Sequence, residues 1–315
     1  MSHFHTVRLI RDFFSKHEFL ETPTPPLVSS PGMEAHLHPF KVESRDHNLK
    51  LFLHTSPEFY MKELLSFGYQ KIYSLGYCFR DEPSSSTHRL QFLMLEWYRA
   101  NTHYNQIKED TLELIEFVRA GLEKEKVEVV EKLKPTHKTV DQLFQEILNF
   151  SILDYLDVES LKNLIHKDYK SIAGPTFLEE QWPWEDYFHL LFLNKIEPSF
   201  KEFDLLILDE FPAPLAALST LKKDQPEVCE RFEVYLKGIE LCNCFNELTD
   251  INEQKKRYNE ESKKRLALYK EEIPTPKVLF DALERGLPPS SGIALGVERL
   301  VLGLSKNSNI NPFFN

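Results

Sequence analysis

The sequence predicts an α+β fold in which an antiparallel β-sheet is flanked by helices, and three observations carry that expectation. Residues 70–99 and 228–248 show the period-two alternation of paired strands. Helical spacing of apolar residues recurs around them. No GxGxxG or GxxxxGK[ST] follows a strand, so Rossmann and P-loop folds lose most of their weight. With 315 residues and 42% apolar content, the chain can bury a large core without disulfide or metal staples.

Phe4, Val7, Ile10 and Phe14 form the apolar stripe of an opening amphipathic helix, which Pro23, Pro25 and Pro26 then replace with extended chain. Between 70 and 80, Tyr73, Leu75, Tyr77 and Phe79 alternate with Ser74, Gly76, Cys78 and Arg80. A second alternating run covers 91–99, and the turn-rich 81–87 between them makes a long-looped antiparallel hairpin. Ile107, Thr111, Leu114, Val118 and Leu122 give another helix. Residues 123–138 read as a solvated helix face and linker, and 139–200 as short helices. A second hairpin joins 231–236 to 239–248 through Lys237-Gly238, followed by a mixed-charge helix over 251–272 with two basic triplets on a solvated face. The last segment, 292–300, is a strand that becomes a helix.

Charge narrows the function. Lys and Arg number 38 against 49 Asp and Glu, a net −11, and such a field repels phosphate backbones. The four cysteines lack a CxxC pairing and read as reduced core thiols. Residues 1–20 interleave charge with apolar side chains, so they are neither signal peptide nor membrane span, and a cytoplasmic protein with no membrane partner is expected.

On the 91–99 strand, alternation places Phe92, Met94, Glu96 and Tyr98 on one face. Arg80 on the facing strand shares its side with the small Gly76 and Cys78, which leaves room for a ligand, although a plain Arg-Glu pair at a sheet rim has the same pattern. In the second hairpin a two-residue turn puts Tyr235 opposite Glu240 and Glu233 opposite Cys242. Glu233 and Glu240 then suit a hard cation such as Mg²⁺, or are solvated carboxylates. Strict alternation turns Asn243, Phe245 and Glu247 away from Glu240, and uniting them requires a bulge near Cys242. Of only ten glycines, Gly292, Gly296 and Gly303 cluster near Arg299, a tight strand-helix junction or an arginine set over a nucleotide.

These pieces resemble class II aminoacyl-tRNA synthetases. Phe79-Arg-Asp-Glu with His88, Phe92 and Leu95-Glu-Trp-Tyr98 is similar to their motif 2, 292–299 to motif 3, and Leu20-Glu21 with Thr24-Pro25 to the end of the dimerising motif 1. Thr55-Ser-Pro-Glu58, Glu96-Trp-Tyr98 and 240–250 resemble the lysine branch. Residues 231–241, Phe211-Pro-Ala-Pro and Ala294 narrow the resemblance to the paralogue family that attaches β-lysine to a lysine of elongation factor P and lacks an anticodon-binding domain.

The resemblance implies one class II catalytic domain over 1–315, with about 105–200 as a helical, weakly matched insertion region. It implies a ligase that activates lysine or (R)-β-lysine with ATP and Mg²⁺ and passes it to elongation factor P, as a homodimer. Arg80 and Arg299 are then the catalytic arginines. Glu82, His88, Phe92, Glu240, Leu241 and Gly296 join them around ATP, and Glu233 and Glu240 hold Mg²⁺. Ser56, Pro57, Glu58, Glu96, Tyr98, Asn243, Phe245 and Glu247 line the amino-acid pocket. The alternatives are a truncated tRNA-charging enzyme, which the net −11 opposes, and a silent paralogue that only binds. Arg89-Leu-Gln91, Cys244 and Asn246 depart from the family pattern beside the site.

Overall fold

The computed structural model describes residues 2–45, 49–83, 88–174 and 182–306. Two compact units emerge, one formed by 1–132 with 246–315 and the other by 133–245. The first begins with α1 (Ser2–Lys16) and β1 (Leu20–Glu21). A small antiparallel sheet follows, of β2 (Leu27–Val28), β3 (Lys41–Val42) and β4 (Leu51–Leu53). Next come α2 (Glu58–Ser66), the hairpin of β5 (Lys71–Phe79) and β6 (Gln91–Ala100), and α3 (Tyr104–Lys124). Of the loop read at 81–87, residues 84–87 lie outside the described residues.

The second unit opens with β7 (Pro135–Thr139) and α4 (Val140–Leu148), whose start is closed by a Thr139–Gln142 capping box. It continues through α5 (Val158–Asp168), α6 (Trp184–Leu191), β8 (Leu205–Asp209), β9 (Leu221–Lys222) and β10 (Gln225–Cys229). The hairpin of β11 (Arg231–Leu236) and β12 (Ile239–Asn246) completes it. The chain then returns to the first unit as α7 (Ile251–Tyr269), α8 (Lys277–Arg285), β13 (Ser290–Gly296) and α9 (Val297–Leu304).

In the first unit β5, β6 and β13 pair antiparallel, and β1 adds to β5 in parallel. The pleat sends Tyr73, Leu95, Trp97, Ile293 and Leu295 to one face, where Phe14 stacks on Tyr73 and meets Trp97 edge-on. The buried stripe of α1 runs through Thr6, Leu9, Ile10, Phe13 and Phe14, whereas Phe4 is exposed; the stripe lies one position round the helix from the one predicted. In the second unit β8, β11 and β12 are antiparallel and β7 joins β8 in parallel. Phe144, Trp184, Tyr187 and Phe188 of its helices form one core with Leu206, Leu208 and Tyr235 of its strands. The sheet strands are therefore antiparallel with parallel additions at β1 and β7, and the linker read at 123–138 ends in a strand.

One other expectation changes. The helix read over 251–272, with both basic triplets on a solvated face, ends at Tyr269, and Arg265 from its second triplet is buried. Its guanidinium donates to the carbonyls of Ala35 and Leu37 at 2.9 and 2.6 Å and pairs with Glu271 at 3.0 Å, pinning the segment that carries Glu34. The cysteines are free and buried, as expected.

Candidate active site

The second face of the first unit's sheet is lined with small residues. Register places Gly76 and Gly296 beside Met94, Ser74 and Ala294 beside Glu96, and Gly292 beside Tyr98. The glycine at 292 is required, because a Cβ there would lie 2.0 Å from the Tyr98 ring. Glu96 and Tyr98 are both buried on this floor. Glu96 accepts from Ser56 Oγ at 2.6 Å, and Tyr98 Oη lies 3.4 Å from its other oxygen. Ser56 Oγ also accepts from the Glu58 amide at 3.0 Å, so Ser56-Pro57 tethers the start of α2 to β6.

One turn into α2, Lys62 is buried, with Nζ 2.6 Å from Oε1 of Glu58 and 2.6 Å from Oε2 of Glu247. The Glu247 contact has ion-pair distance but not hydrogen-bond direction, and neither Glu247 oxygen has a hydrogen-bond partner. Burial alone would lower the Lys62 pKa; the charges of Glu247 and Glu58 carry it above the ordinary lysine range instead. Burial and the nearby Glu58 charge push Glu96 up to about 8, against the pull of Ser56, Arg80 and Lys62. Glu247 is raised by burial, opposed by Lys62. Glu34 is raised too, by burial and by Glu58, with backbone donors and Arg80 pulling it back. Four carboxylates, Glu96 and Glu247 buried and Glu34 and Glu58 half-buried, thus share a region with two cations, Lys62 and Arg80. Such a region favours a cationic ligand that brings its own hydrogen-bond donors.

At the rim, the Arg80 guanidinium lies 5.3 Å from the Phe92 ring centroid, and its buried Nε has no hydrogen-bond partner. Arg299 reaches His88 Nε2 at 3.0 Å. Gly296 caps the helix that carries Arg299, and the atoms nearest a Cβ there would be those of that side chain, from 3.5 Å. Glu82 is half-buried beyond β5. An aromatic face, two guanidiniums and a close backbone approach suit a nucleotide.

In the second unit the Lys237-Gly238 turn has positive φ at both residues, 50° and 83°, as a two-residue hairpin demands. Tyr235 faces Glu240 as predicted, but Glu233 faces Asn243 rather than Cys242. The register slips between Val234 and Tyr235, and the extra residue is Leu241. That bulge brings Glu240, Asn243 and Phe245 onto the face of Arg231, Glu233 and Tyr235. Arg231 donates to Asn243 Oδ1 at 3.1 Å and to Glu233 at 2.6 Å, and Tyr235 Oη donates to the other Glu233 oxygen. Burial raises the Glu233 pKa, Arg231 opposes it, and the Glu240 charge raises it further. A cation shared by the two carboxylates would relieve that repulsion, so they fit a hard ion that is also held by phosphates. No cluster of three or more metal-ligating side chains occurs among the described residues.

The sequence model of class II tRNA synthetases (D, K and N) matches residues 2–313. The chain belongs to this family. Curated relatives are proteins named elongation factor P–(R)-β-lysine ligase. That of Proteus mirabilis is 34% identical over 312 residues, covering 96% of this chain and 91% of the relative. Those of Vibrio cholerae and Erwinia tasmaniensis are 35% and 36% identical, covering 94% and 93% of this chain and 88% and 86% of their own lengths.

Three residues of this class II synthetase homologue escaped sequence reasoning. Glu34 lies in an aperiodic loop, and Lys62 looks like an ordinary helix lysine four residues after a glutamate. Glu298 follows the motif-3 glycine, and its carboxylate accepts from the Leu93 amide at 2.9 and 3.1 Å, tying α9 to β6. Two advance signals existed: the Glu58 spacing of Lys62, which points to the surface, and the place of Glu298 inside the motif-3 run 292–299.

Proposed function

We propose that this protein is an ATP-dependent ligase that activates lysine or (R)-β-lysine as an adenylate and transfers it to a lysine side chain of elongation factor P in the cytoplasm. One observation carries the reading: a set of carboxylates, Glu96 and Glu247 buried and Glu58 half-buried, in a chain about a third identical to ligases named for that reaction. An amino acid with two ammonium groups needs such partners once it leaves water.

In the first half-reaction the substrate carboxylate oxygen attacks the α-phosphorus and pyrophosphate leaves. Arg80, whose buried Nε has no partner, stabilises charge on the α-phosphoryl oxygens, and Phe92 stacks on the base. Glu82 holds the adenine amine. Arg299 with His88 meets the nucleotide's phosphates, and Gly296 and Leu241 supply its backbone walls. Glu233 and Glu240 would hold Mg²⁺, which supplies charge neutralisation of the phosphates when bound. Ser56, Pro57, Tyr98, Asn243 and Phe245 complete the amine pocket. In the second half-reaction the neutral acceptor amine attacks the acyl carbon, AMP leaves and the amine gives up a proton. Because that amine starts as an ammonium of pKa about 10.4, the complex must help deprotonate it. The reading includes a homodimer and places the whole of 1–315 in one catalytic role.

Amino-acid-dependent exchange of labelled pyrophosphate into ATP should occur with at least one lysine isomer, and comparison of L-lysine with (R)-β-lysine identifies the substrate. No exchange with any isomer would reject the reading. Mass spectrometry of elongation factor P co-expressed with this protein should show one added lysyl group; an unmodified factor beside active exchange would point to another acceptor.

A further inference from the structure

Lys62 has no counterpart in the reaction just described, yet it is placed as carefully as any group in the site. It is 1% exposed and sits 2.6 Å from one oxygen of Glu58 and 2.6 Å from one oxygen of Glu247. Glu247 Oε1 is left buried with no hydrogen-bond donor. A lysine that served only to neutralise one carboxylate would need one partner; this one spans a helix start and the chain after β12, both within the first unit.

We propose that Lys62 is a positioning residue that clamps Glu58 and Glu247, favours the ionised form of Glu247 and leaves their outer oxygens to receive the ammonium groups of a diamino substrate. The clamp rests on the reading of this site as an amine pocket. Its logic is electrostatic. Several buried carboxylates crowded together take up protons, and a protonated carboxyl is a poor partner for an ammonium. A fixed cation between two of them lowers that tendency, and it occupies one oxygen of each so the other remains available. The remaining charged or titratable groups around the clamp are Glu96 and Tyr98 from β6, Glu34 from the loop between β2 and β3 and Arg80 from the end of β5. From α8, which packs on α2, Arg285 lies 3.5 Å from Glu63 and does not reach the clamp.

The test uses calorimetric binding of L-lysine and of 1,5-diaminopentane to the full chain between pH 5.5 and 9, with ATP binding as the control for an intact fold. Wild-type affinity should rise with pH as the carboxylates ionise. Lys62→Met should weaken diamine binding by about tenfold or more at pH 7 and move the midpoint of its pH profile upward by about one unit, the equivalent of that tenfold. Its ATP affinity should stay within about twofold, since Lys62 pairs with Glu58 and Glu247, neither of which holds the nucleotide. A folded, ATP-binding Lys62→Met with the wild-type pH midpoint overturns the clamp. If that variant does not fold, Lys62→Arg decides: it keeps a cation, so affinity should fall while the midpoint stays, and an upward midpoint shift overturns the proposal. Diamine binding with this pH dependence but no pyrophosphate exchange would reject the ligase reading and leave the clamp standing. A wild-type protein that binds neither L-lysine nor 1,5-diaminopentane overturns the clamp itself.

Discussion

Glu96 shows how a single buried carboxylate couples the site to pH. Its pKa of about 8 in the folded protein exceeds the ordinary 4.5, so the native state binds more protons than the unfolded chain and stability falls as pH rises between those values. The melting temperature of the free protein should therefore decline across that window. Glu96→Gln should flatten part of the decline, and saturating lysine should restore stability at the alkaline end, both readable by calorimetry. The same linkage makes the KM for the amino acid fall as pH rises toward 8, because an ammonium pairs with the ionised form. Gly292→Ala tests the floor beneath the pocket. With only 2.0 Å between the added methyl and the Tyr98 ring, it should cost about 1–3 kcal/mol in a denaturant titration. It should also raise the amino-acid KM more than the ATP KM; equal effects on both would contradict the assignment of Tyr98 to the amine pocket. The shared face of Phe92, Glu96 and Tyr98 was legible in the alternation of 91–99, whereas Glu58 entered only with the family resemblance of 55–58. Lys62 and Glu34 were not legible, because the groups that tie them to the site, Glu247 and Glu58, lie 185 and 24 positions away, and one local window cannot hold both ends of such an interaction.

Among the elements, the β11–β12 hairpin divides most clearly into what local pattern can and cannot reveal. Alternation and a Lys-Gly turn fixed both strands and the Tyr235–Glu240 pairing. The inserted Leu241 left no trace in that alternation, since a buried apolar residue between Glu240 and Cys242 is what a regular strand also shows. Only a site that joins Glu240 with Asn243 and Phe245 calls for it. Inserting one alanine between Val234 and Tyr235 should give Leu241 a partner, restore a regular ladder and turn Asn243 and Phe245 to the face opposite Glu240. Pyrophosphate exchange should then fall by about 100-fold or more, the scale on which small misplacements cost rate. Circular dichroism should remain that of a folded protein, and retained exchange would remove the bulge from the mechanism. The parallel strand β7 was missed for a plainer reason: five residues of Pro, Thr, His and Lys carry no apolar alternation, and their strand state comes from pairing with the buried β8.

Across the whole molecule, the net charge of −11 sets the expectation for partners. A polyanion gains little from such a surface, so tRNA charging should stay at background at low salt, where electrostatic attraction would be strongest, while pyrophosphate exchange proceeds. Charging comparable to exchange would favour the tRNA reading instead. No helix among the described residues is long and apolar enough to cross a membrane. The general class of fold was readable because its signals are local; the division into two units was not, because the second is inserted within the first and each closes over contacts distant in sequence. The buried thiols give that division a practical use. Cys78 belongs to the first unit and Cys229, Cys242 and Cys244 to the second, and a buried thiol reacts with alkylating reagents only when its surroundings open. Brief alkylation followed by intact-mass measurement would therefore count openings: one adduct for the first unit, three for the second. The native chain carries its own two-channel recorder of local unfolding, with no label to be engineered.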